Sequence, residues 1–291
     1  MPELPEVETI RRGLAPAVTG LTLERLEVLD ARWCAPASPS EVADRVAGRR
    51  VERLSRRGKY LVWELAGDVH LVLHLRMTGN LLVRRRGAAD PPHLRVRFVL
   101  SGADEVAFTD PRRFGTGVVL IGEDARDAYF SARLGVEPLD PAFTGEALRA
   151  LARGRRAPVK AFLLSQERIA GVGNIYADEA LFRAGIHPLR PVGTLTIGHL
   201  RRLRDAVVES LEAGIAARGA TIDDFRQPDG ASGSFQNQFL VHRRAGEGCP
   251  RCGRAIAKIR AAGRGTYVCT GCQRPPRLRR SRTQAGARAA S

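Results

Sequence analysis

Met1-Pro-Glu-Leu-Pro-Glu-Val-Glu8 opens the chain and begins its first predicted element. Pro5 suits the first turn of a helix, because a backbone N–H at that position would have no helical partner. The apolar residues that follow recur at helical spacing and end at a glycine, which predicts a helix of about three to four turns beside the next domain. These residues are Val7, Ile10, Leu14 and Val18, followed by Gly20.

The same stretch carries a chemical signal at Pro2. Because Pro2 is small, we expect the initiator Met1 to be removed, which leaves a secondary amine beside Glu3. An α-amine has a pKa of roughly 7.7–8.0, so part of it is unprotonated near neutral pH. Such an amine can attack an aldehyde-like carbon to form an iminium, and a neighbouring carboxylate can move the protons. From these residues alone, an ordinary N-terminus is the favoured interpretation.

The composition indicates a basic protein of more than one domain. Its 291 residues correspond to roughly two domains. The 47 Lys and Arg residues exceed the 31 Asp and Glu residues, so the formal net charge is +16. This charge favours a polyanionic partner, because neutralised phosphates release counterions, but it does not by itself indicate an enzyme. No apolar run has membrane-spanning length and no secretion signal is present, so we expect a cytoplasmic protein without membrane contact.

Hydrophobic patterning divides the chain into regions. From Leu21 to Ile121, short alternating segments with short connections predict a largely antiparallel sandwich or barrel-like domain, and helical patterns follow. The clearest segments are the strands Lys59–Leu65, His70–Leu75, Leu94–Leu100 and Gly117–Ile121 and the helices Gly145–Arg153, Pro158–Ser165, Asn174–Ala184 and Thr196–Ala217. The predicted regions are a β domain at 1–135, a helical domain at 136–240, a metal module at 241–273 and a basic disordered tail at 274–291.

Four of the five cysteines form two C-x-x-C pairs separated by sixteen residues, and Cys34 stands alone. This spacing predicts a tetrathiolate zinc site, in which two turns each supply two thiolates to one structural ion. Such usage belongs to a reducing compartment. Between the pairs, Ala255–Ile259 and Thr266–Val268 predict a two-stranded ribbon. The predicted zinc ligands are Cys249, Cys252, Cys269 and Cys272.

Several runs of the sequence resemble one family. Met1–Thr9 resembles the N-terminus of the bacterial formamidopyrimidine-DNA glycosylase family, and Gly171–Phe182 with Gly185-Ile-His-Pro188 is similar to its helix-two-turn-helix signature. The resemblance covers residues 1 to about 273. Further similar runs are Arg56–Tyr60, His74–Gly79, Asp110–Gly115 and Gly263–Cys269.

This resemblance implies an α+β multidomain fold, with an N-terminal antiparallel β-sandwich flanked by helices. A helix-two-turn-helix domain with a β-hairpin zinc finger would follow. It also implies a bifunctional base-excision repair glycosylase and abasic-site lyase for oxidised purines in double-stranded DNA. The implied enzyme is a monomer associated with the nucleoid, and it holds one structural zinc ion and needs neither a redox cofactor nor Mg²⁺.

The resemblance assigns the chemistry to the first residues. Pro2 would attack C1′ of the damaged nucleoside and displace the base. The resulting iminium would acidify the neighbouring sugar protons, which allows β- and then δ-elimination of the two phosphates. Glu3 would be the chief acid/base and protonate the sugar ring oxygen, with Glu6 as a supporting carboxylate.

Further residues are assigned to the catalytic and DNA-binding sets by the same resemblance. Lys59 and Arg264 complete the implied catalytic set. With His74 and Asn174 they would hold phosphates around an extruded nucleotide, and Tyr176 also belongs to the implied DNA-binding set. By residue type alone, Lys59 would be a solvated turn residue and Asn174 a helix cap.

The gap left by the extruded nucleotide would be filled by three side chains. Met77 and Phe114 lie in polar turns rather than in apolar runs, although core positions are the alternative for both. Apolar wedges and an inserted arginine hold open such gaps in other proteins. By the resemblance, Met77, Arg112 and Phe114 take this role, and Arg112 faces the orphaned base, expected to be cytosine.

Three segments differ from these patterns or extend them. The long polar stretch Thr221–Phe239 predicts a mobile loop, onto which the family's lesion-capping loop maps. The runs Arg218-Gly-Ala-Thr221 and His242-Arg-Arg depart from the family's versions. We expect the tail at 274–291 to add nonspecific DNA affinity, so its removal should lower the salt sensitivity of binding.

Two other functions remain open on the sequence. An endonuclease VIII-like relative acting on oxidised pyrimidines would use the same nucleophile and zinc finger, although Leu4 and Val7-Glu8-Thr9 favour the purine branch. A noncatalytic zinc-ribbon DNA-binding protein would keep the scaffold, but the Pro-Glu start and Lys59 argue against it.

Overall fold

The structure, a computed structural model, describes residues 1–222 and 225–276. Residues 277–291 of the predicted tail lie outside the described ranges, as do positions 223–224 of the predicted loop. Within those ranges, no helix combines the length and the apolar character needed to span a membrane.

An eight-stranded antiparallel sheet forms the N-terminal domain. Its strands are β1 Thr22–Val28, β2 Arg49–Arg57, β3 Tyr60–Leu65, β4 Val69–His74, β5 Asn80–Arg85, β6 Leu94–Leu100, β7 Asp104–Thr109 and β8 Thr116–Ile121. They are arranged in the order β5-β7-β6-β1-β2-β3-β4-β8, so β5 and β8 are the edges. The four strands that the sequence predicted most clearly match β3, β4, β6 and β8 to within one residue at each end.

The sheet folds over on itself into a sandwich. β1 and β2 join its two halves through two paired positions only, Thr22 with Arg50 and Leu23 with Arg49. Trp63 of β3 and Phe98 of β6, from opposite halves, stack with ring centroids 4.9 Å apart. The predicted antiparallel sandwich is therefore confirmed.

Helix α1 spans Leu4–Val18 and lies between the two large cores of the molecule. Its four predicted apolar residues, Val7 to Val18, are fully buried against the sandwich. Each such side chain contributes about 1.5–3 kcal/mol by leaving water. Leu4 instead packs into the core of the helical domain. The start of α1, with Pro2 and Glu3 before it, is thereby held at the domain junction. Two further helices of this domain are α2 Pro39–Val46 and α3 Glu123–Ser131.

The helical domain contains the predicted helices to within one residue at each end. They are α4 Gly145–Ala152, α5 Val159–Leu164, α6 Asn174–Ala184 and α7 Ile197–Ala216. Leu134 still packs with residues of the sheet, whereas Phe143 belongs to the helical core. The packing changes between these two residues, and the finer domain limits stay predictions.

A two-stranded antiparallel hairpin forms the end of the described chain, with β9 at Ala257–Ala261 and β10 at Arg264–Val268. The strands extend closer to the tip than the sequence predicted. Ala262 and Gly263 both have positive φ, 51° and 71°, as a tight two-residue hairpin turn requires. Arg264 is consequently the first residue of β10, exposed beside the turn.

Candidate active site

Two glycines, Gly171 and Gly173, allow the N-terminal stretch to pack closely against the helical domain. Leu4 N donates to Gly171 O at 3.0 Å. Gly171 has φ +84°, and a Cβ there would lie 2.6 Å from the Leu4 side chain. A Cβ at Gly173 would lie 2.2 Å from the Glu3 carboxyl carbon. The Gly-x-Gly run therefore provides space for the residues that follow Pro2, because only glycine allows such close approach.

Glu3 is held at the N-terminus of α6. Its side chain is 2% exposed, and Oε1 accepts from Ile175 N at 3.0 Å. Helix N-termini stabilise anions through such unpaired amides. Within the described ranges, Glu3 Oε2 is buried without a hydrogen-bond partner. One carboxylate oxygen is thus fixed by a backbone amide, and the other is buried without a hydrogen-bond partner among the described residues.

The Glu6 carboxylate accepts hydrogen bonds from residues in both halves of the chain. Its Oε1 accepts from the Tyr176 hydroxyl at 2.7 Å and from Ala220 N at 2.8 Å, and its Oε2 accepts from Glu3 N at 2.8 Å. Burial, and then the charge of Glu3, raise the pKa of Glu6 to about 7. Tyr176, expected to bind DNA, is 1% exposed and contacts Glu6 instead of the surface.

Glu8 shows how strongly neighbours decide the state of a carboxylate on α1. Burial opposes its ionisation, yet hydrogen bonds from Arg11 and Arg12 and the charge of Arg56 lower its pKa to about 2. Glu6 has no arginine partner among its hydrogen bonds. The pKa of Glu8 therefore lies below the ordinary value of a glutamate, and the pKa of Glu6 lies above it. Of the two, only Glu6 titrates near neutral pH.

A pocket of about 180 Å³ lies beside Pro2. It brings together the predicted Pro2, Glu6, Met77 and Arg112, although these residues lie far apart in sequence. The chain described here retains Met1, so the Pro2 nitrogen becomes an amine only after Met1 is removed. The remaining walls are formed by Met1, Thr78, Gly79, Asn80, Ile175, Ala220, Ile222 and Phe225.

Lys59, which lies between β2 and β3, and His74, the last residue of β4, are both buried. Lys59 is 5% exposed, and burial lowers its pKa while the charges of Glu3 and Glu6 oppose this change. His74 Nδ1 accepts from Arg76 N at 2.9 Å. Burial, and then Arg76 and Lys59, lower the pKa of His74 to about 3. His74 is therefore neutral at physiological pH, with its proton on Nε2, where it can donate to a phosphate.

The turn that carries Phe114 is organised from within by Asp110. The Asp110 carboxylate is buried and accepts from Phe114 N at 2.9 Å, from Gly115 N at 2.7 Å and from the Thr78 hydroxyl. This bond to Thr78 joins the Phe114 turn to the loop of Met77. The Phe114 ring is 50% exposed, and Arg112 lies over it at 4.8 Å from the ring centroid. The three expected wedge residues therefore lie on two linked turns.

Helix α6 holds the zinc hairpin next to Arg264. Gly173, not Asn174, is the N-cap of α6. The Asn174 side chain instead donates Nδ2–H to Gly265 O at 3.1 Å, next to Arg264. The cap interpretation of Asn174 was wrong because its side chain turns to the hairpin.

A buried charged cluster, missed by the sequence reasoning, supports the same hairpin. Lys160 Nζ lies 2.6 Å from Asp178 Oδ1 and donates to the Thr266 hydroxyl at 2.7 Å. His242, in the run that departs from the family, has Nδ1 2.9 Å from Asp178 Oδ2. Lys160 is the one charged residue of the six in α5, which was the available signal.

The four predicted zinc ligands form one cluster. Their sulfur atoms all lie within 4.8 Å of one another, with Cys249 and Cys272 3.8 Å apart and Cys252 and Cys269 3.4 Å apart. Tetrahedral zinc with bonds of about 2.3 Å separates its sulfur ligands by about 3.8 Å. The site therefore fits one structural zinc ion, and Cys34 lies outside it.

Comparison with known families accounts for most of the described chain. Residues 1–117 match the formamidopyrimidine-DNA glycosylase N-terminal domain, and residues 134–226 match the corresponding H2TH domain. Residues 246–275 match the zinc finger found in FPG and IleRS. The chain belongs to the formamidopyrimidine-DNA glycosylase family. This membership confirms the fold and the structural zinc expected from the resemblance.

Individual members of the formamidopyrimidine-DNA glycosylase family agree over nearly the whole length. The enzyme of Alkalilimnicola ehrlichii is 46% identical over 280 residues, which cover 94% of this chain and 100% of the relative. The structure of the MutM (Fpg) protein of Thermus thermophilus has a TM-score of 0.84 at 43% identity, covering 94% and 98% of the two chains. A Lactococcus lactis Fpg variant in complex with DNA containing Fapy-dG has a TM-score of 0.89 at 32% identity, covering 94% and 100%.

Proposed function

We propose that this protein is a bifunctional DNA glycosylase and abasic-site lyase that removes oxidised purines, including 8-oxoguanine and formamidopyrimidines, from duplex DNA. The observation that carries the proposal is the position of Pro2 at a pocket, next to Glu3. One carboxylate oxygen of Glu3 is fixed by a backbone amide, and the other has no hydrogen-bond partner among the described residues. The Lactococcus lactis relative bound to Fapy-dG-containing DNA supports the choice of substrate.

The chemistry starts at the processed N-terminus. The Pro2 nitrogen attacks C1′, and the bond from C1′ to the base breaks with its electron pair leaving on the base. Glu3 protonates the ring oxygen, so the sugar opens and the nitrogen–carbon bond becomes an iminium. The iminium acidifies the C2′ protons, loss of one expels the 3′ phosphate, and a second elimination expels the 5′ phosphate. Hydrolysis of the remaining iminium releases the sugar fragment as an aldehyde and regenerates the Pro2 amine.

The surrounding residues bind and shape the DNA. Lys59 and Arg264 supply positive charge to the phosphates, whereas neutral His74 supplies a hydrogen bond. Asn174 has a second amide N–H beyond the one given to Gly265, and this donor serves a phosphate. Tyr176 contributes indirectly, through its bond to Glu6.

Three side chains fill the space that the extruded nucleotide leaves. Met77, Arg112 and Phe114 enter the base stack from the two linked turns described above, and Arg112 faces the orphaned cytosine. The exposed Phe114 ring needs no rearrangement of a core to do so.

Borohydride reduction tests the mechanism. With Met1 removed, as checked by intact mass, the protein should become covalently linked to abasic duplex DNA, and it should excise 8-oxoguanine opposite cytosine. A sample whose Pro2 nitrogen has been chemically capped should do neither. Trapping with preferred excision of thymine glycol would instead indicate an endonuclease VIII-like enzyme. DNA binding without any trapping would indicate a noncatalytic zinc-ribbon protein.

We also propose that the protein acts as a monomer at the nucleoid, in the cytoplasm. Its proposed substrate is chromosomal DNA, and one chain supplies all the proposed site residues. Light scattering of the purified protein with and without a lesion-bearing duplex tests the first point. Cell fractionation tests the second.

A further inference from the structure

One side chain of the stretch that joins the two domains binds the turn that carries Lys59. Glu137 lies where the packing changes from the sheet to the helical core. Its carboxylate accepts hydrogen bonds from the backbone N–H of Gly58 and from Arg56, with Oε2 3.1 Å from Arg56 Nη1. The Glu137 side chain is 11% exposed, so these bonds are largely shielded from water. Because Gly58 directly precedes Lys59, Glu137 binds the backbone from which Lys59 projects.

The turn between β2 and β3 is held at both polar groups of Gly58. Glu137 accepts from its N–H, and Arg56 Nη1 donates to its carbonyl oxygen at 2.9 Å. Gly58 has φ +56°, a left-handed conformation that favours glycine. The Gly58 carbonyl belongs to the peptide bond that leads into Lys59. Its orientation therefore determines the direction in which Lys59 leaves the turn.

The same stretch is also bound to the helical domain. Val136 N donates to Arg168 O at 3.1 Å, and Ala170 N donates to Val136 O at 2.9 Å. The loop that contains Arg168 and Ala170 continues into the Gly-x-Gly run against which Glu3 packs. Glu137 follows Val136 directly, so it connects the β2–β3 turn to the loop beside Glu3.

The Gly58 amide depends on Glu137 more than Arg56 does. Arg56 Nε also lies 3.4 Å from Glu8 Oε2, and Arg56 Nη1 also donates to Gly58 O. Removal of Glu137 therefore leaves Arg56 with other acceptors, but it takes an acceptor from the buried N–H of Gly58. Because a buried N–H without a partner is costly, the turn should rearrange to regain one.

The connection between Glu137 and Lys59 runs through the backbone. Besides burial, the charges that shift the pKa of Lys59 are those of Glu3, Glu6 and Arg264. Glu137 instead bonds to the residue before Lys59. An uncharged acceptor at position 137 should therefore serve the same purpose.

We propose that Glu137 is a positioning residue for Lys59, which it holds in place relative to Glu3 and the DNA phosphates by accepting the N–H of Gly58. The inference rests on the proposed function, in which Lys59 supplies positive charge to those phosphates. A displacement of about 1 Å in an active site can cost about 10²-fold in rate. Base release and strand cleavage should therefore both slow when Glu137 is removed.

A double-mutant cycle tests whether Glu137 acts through Lys59. Glu137→Ala should slow single-turnover release of 8-oxoguanine, and cleavage of a preformed abasic duplex, by about tenfold or more. In a Lys59→Met background, the same substitution should change both rates by less than about twofold, because the group that it displaces is already absent. Additive losses of rate, or normal rates in Glu137→Ala, would overturn the proposal.

Glu137→Gln separates the hydrogen bond from the charge. An amide oxygen in the position of Oε1 can still accept from Gly58 N, so both rates should stay within about threefold of those of the unmodified protein. A glutamine variant as slow as the alanine variant would contradict the proposed role.

The matched control for the loss of a buried carboxylate is Glu105→Ala. Glu105 is 3% exposed, and its Oε1 lies 3.1 Å from Arg84 Nε and 3.6 Å from Arg97 Nε. It lies on β7, which is separated from β2 by β6 and β1 in the sheet. Its removal should lower the Tm, as removal of Glu137 should, but leave both rates unchanged. Equal losses of rate in the two alanine variants would indicate general instability and overturn the proposal.

Hydrogen exchange of the Gly58 amide does not depend on catalysis. Followed by NMR in the free protein, it should be faster in Glu137→Ala than in the unmodified protein and in Glu137→Gln. Unchanged exchange in Glu137→Ala would show that Glu137 does not hold the turn. If the unmodified protein released no lesion base and cleaved no abasic site, the proposed function would fail, whereas the exchange of Gly58 would still decide whether the contact exists.

Discussion

The two carboxylates at the start of α1 and the turn that carries Phe114 belong to one site but differ in burial: the carboxylates are buried, and the Phe114 ring is half exposed. Glu3 and Glu6 are enclosed between the two domains, and backbone amides from the helical domain bind both of them. The backbone of Phe114 is held by buried Asp110, and its ring is half exposed and lies next to Arg112. The carboxylates that we propose to move protons are thus fixed in a low-dielectric interior, while the side chain that we propose to enter the DNA is anchored at its backbone and exposed at its ring.

The largest effect is expected from Gly173→Ala. The backbone at Gly173, φ −129° and ψ −159°, suits alanine, but its Cβ would overlap the Glu3 carboxyl group. We expect base excision and abasic-site cleavage to fall by about 10²-fold or more, since a displaced general acid–base costs about 10²–10⁴. Single-turnover assays on both substrates measure the loss.

The matched control for this change is Gly198→Ala. The nearest atoms to a Cβ at Gly198 lie 3.9 Å away, so both rates should be unchanged. If Gly173→Ala kept the two rates of the unmodified protein, the placement of Glu3 would not be critical for either reaction.

A stability effect of about 3 kcal/mol is expected from the titration of Glu6. Its pKa rises from 4.5 to about 7 on folding, so the folded state binds more protons than the unfolded state between these pH values. The stability contributed by protonated Glu6 is complete below pH 4.5 and is lost as the pH rises through about 7.

Denaturant unfolding of Glu6→Gln tests this titration. The unfolding free energy of the unmodified protein should fall relative to that of Glu6→Gln across this interval, whatever constant offset the amide introduces. Parallel pH profiles of the two proteins would contradict the raised pKa.

A smaller effect is expected on the salt dependence of DNA binding, which distinguishes the charged phosphate contacts from the neutral one. Arg264→Gln should reduce the slope of log K against log salt concentration by about 0.9, because one phosphate contact loses its charge. His74→Gln should weaken binding and leave the slope unchanged, because His74 is neutral with a pKa of about 3. Anisotropy titrations of an abasic-site analogue over several salt concentrations measure both. An equal reduction of the slope in His74→Gln would show that the bound histidine is charged.

The smallest change in stability is expected for substitution of the half-exposed Phe114. Phe114→Ala should change the unfolding free energy by less than about 0.5 kcal/mol, because half of the ring already meets water. Lesion-specific binding should nevertheless weaken. The contrasting variant is Asp110→Ala, which leaves buried N–H groups unpaired and should cost about 1–3 kcal/mol. Similar losses of stability in both variants would mean that the ring is part of the core.

Much of the fold could be predicted because local patterns are sufficient for it. The periodicity of Val7 to Val18 located α1, and the C-x-x-C spacing located the zinc site. The strands β1, β2, β5 and β7 were not singled out. Strand β2 shows why: five of its nine residues are arginines, of which two are exposed and three are half-buried, so the alternation of apolar and polar residues is weak. The hairpin strands were displaced because the tip depends on the positive φ of Ala262, a residue that does not favour it.

The sequence by itself determined α1, the helices α4 to α7, the sandwich class and the zinc ligands, because spacing along the chain is enough to specify each of them. The helices α2 and α3 were not predicted, and the chemical candidates came from the resemblance of short runs to the family. Only the tertiary structure decided the state of those candidates. Glu6 meets Tyr176 and Ala220, which are 170 and 214 positions away, and Lys59 is buried instead of solvated. The pKa of a side chain and the lining of a pocket depend on which groups are brought close in space. Contacts between residues so far apart in sequence produce no periodic pattern along the chain.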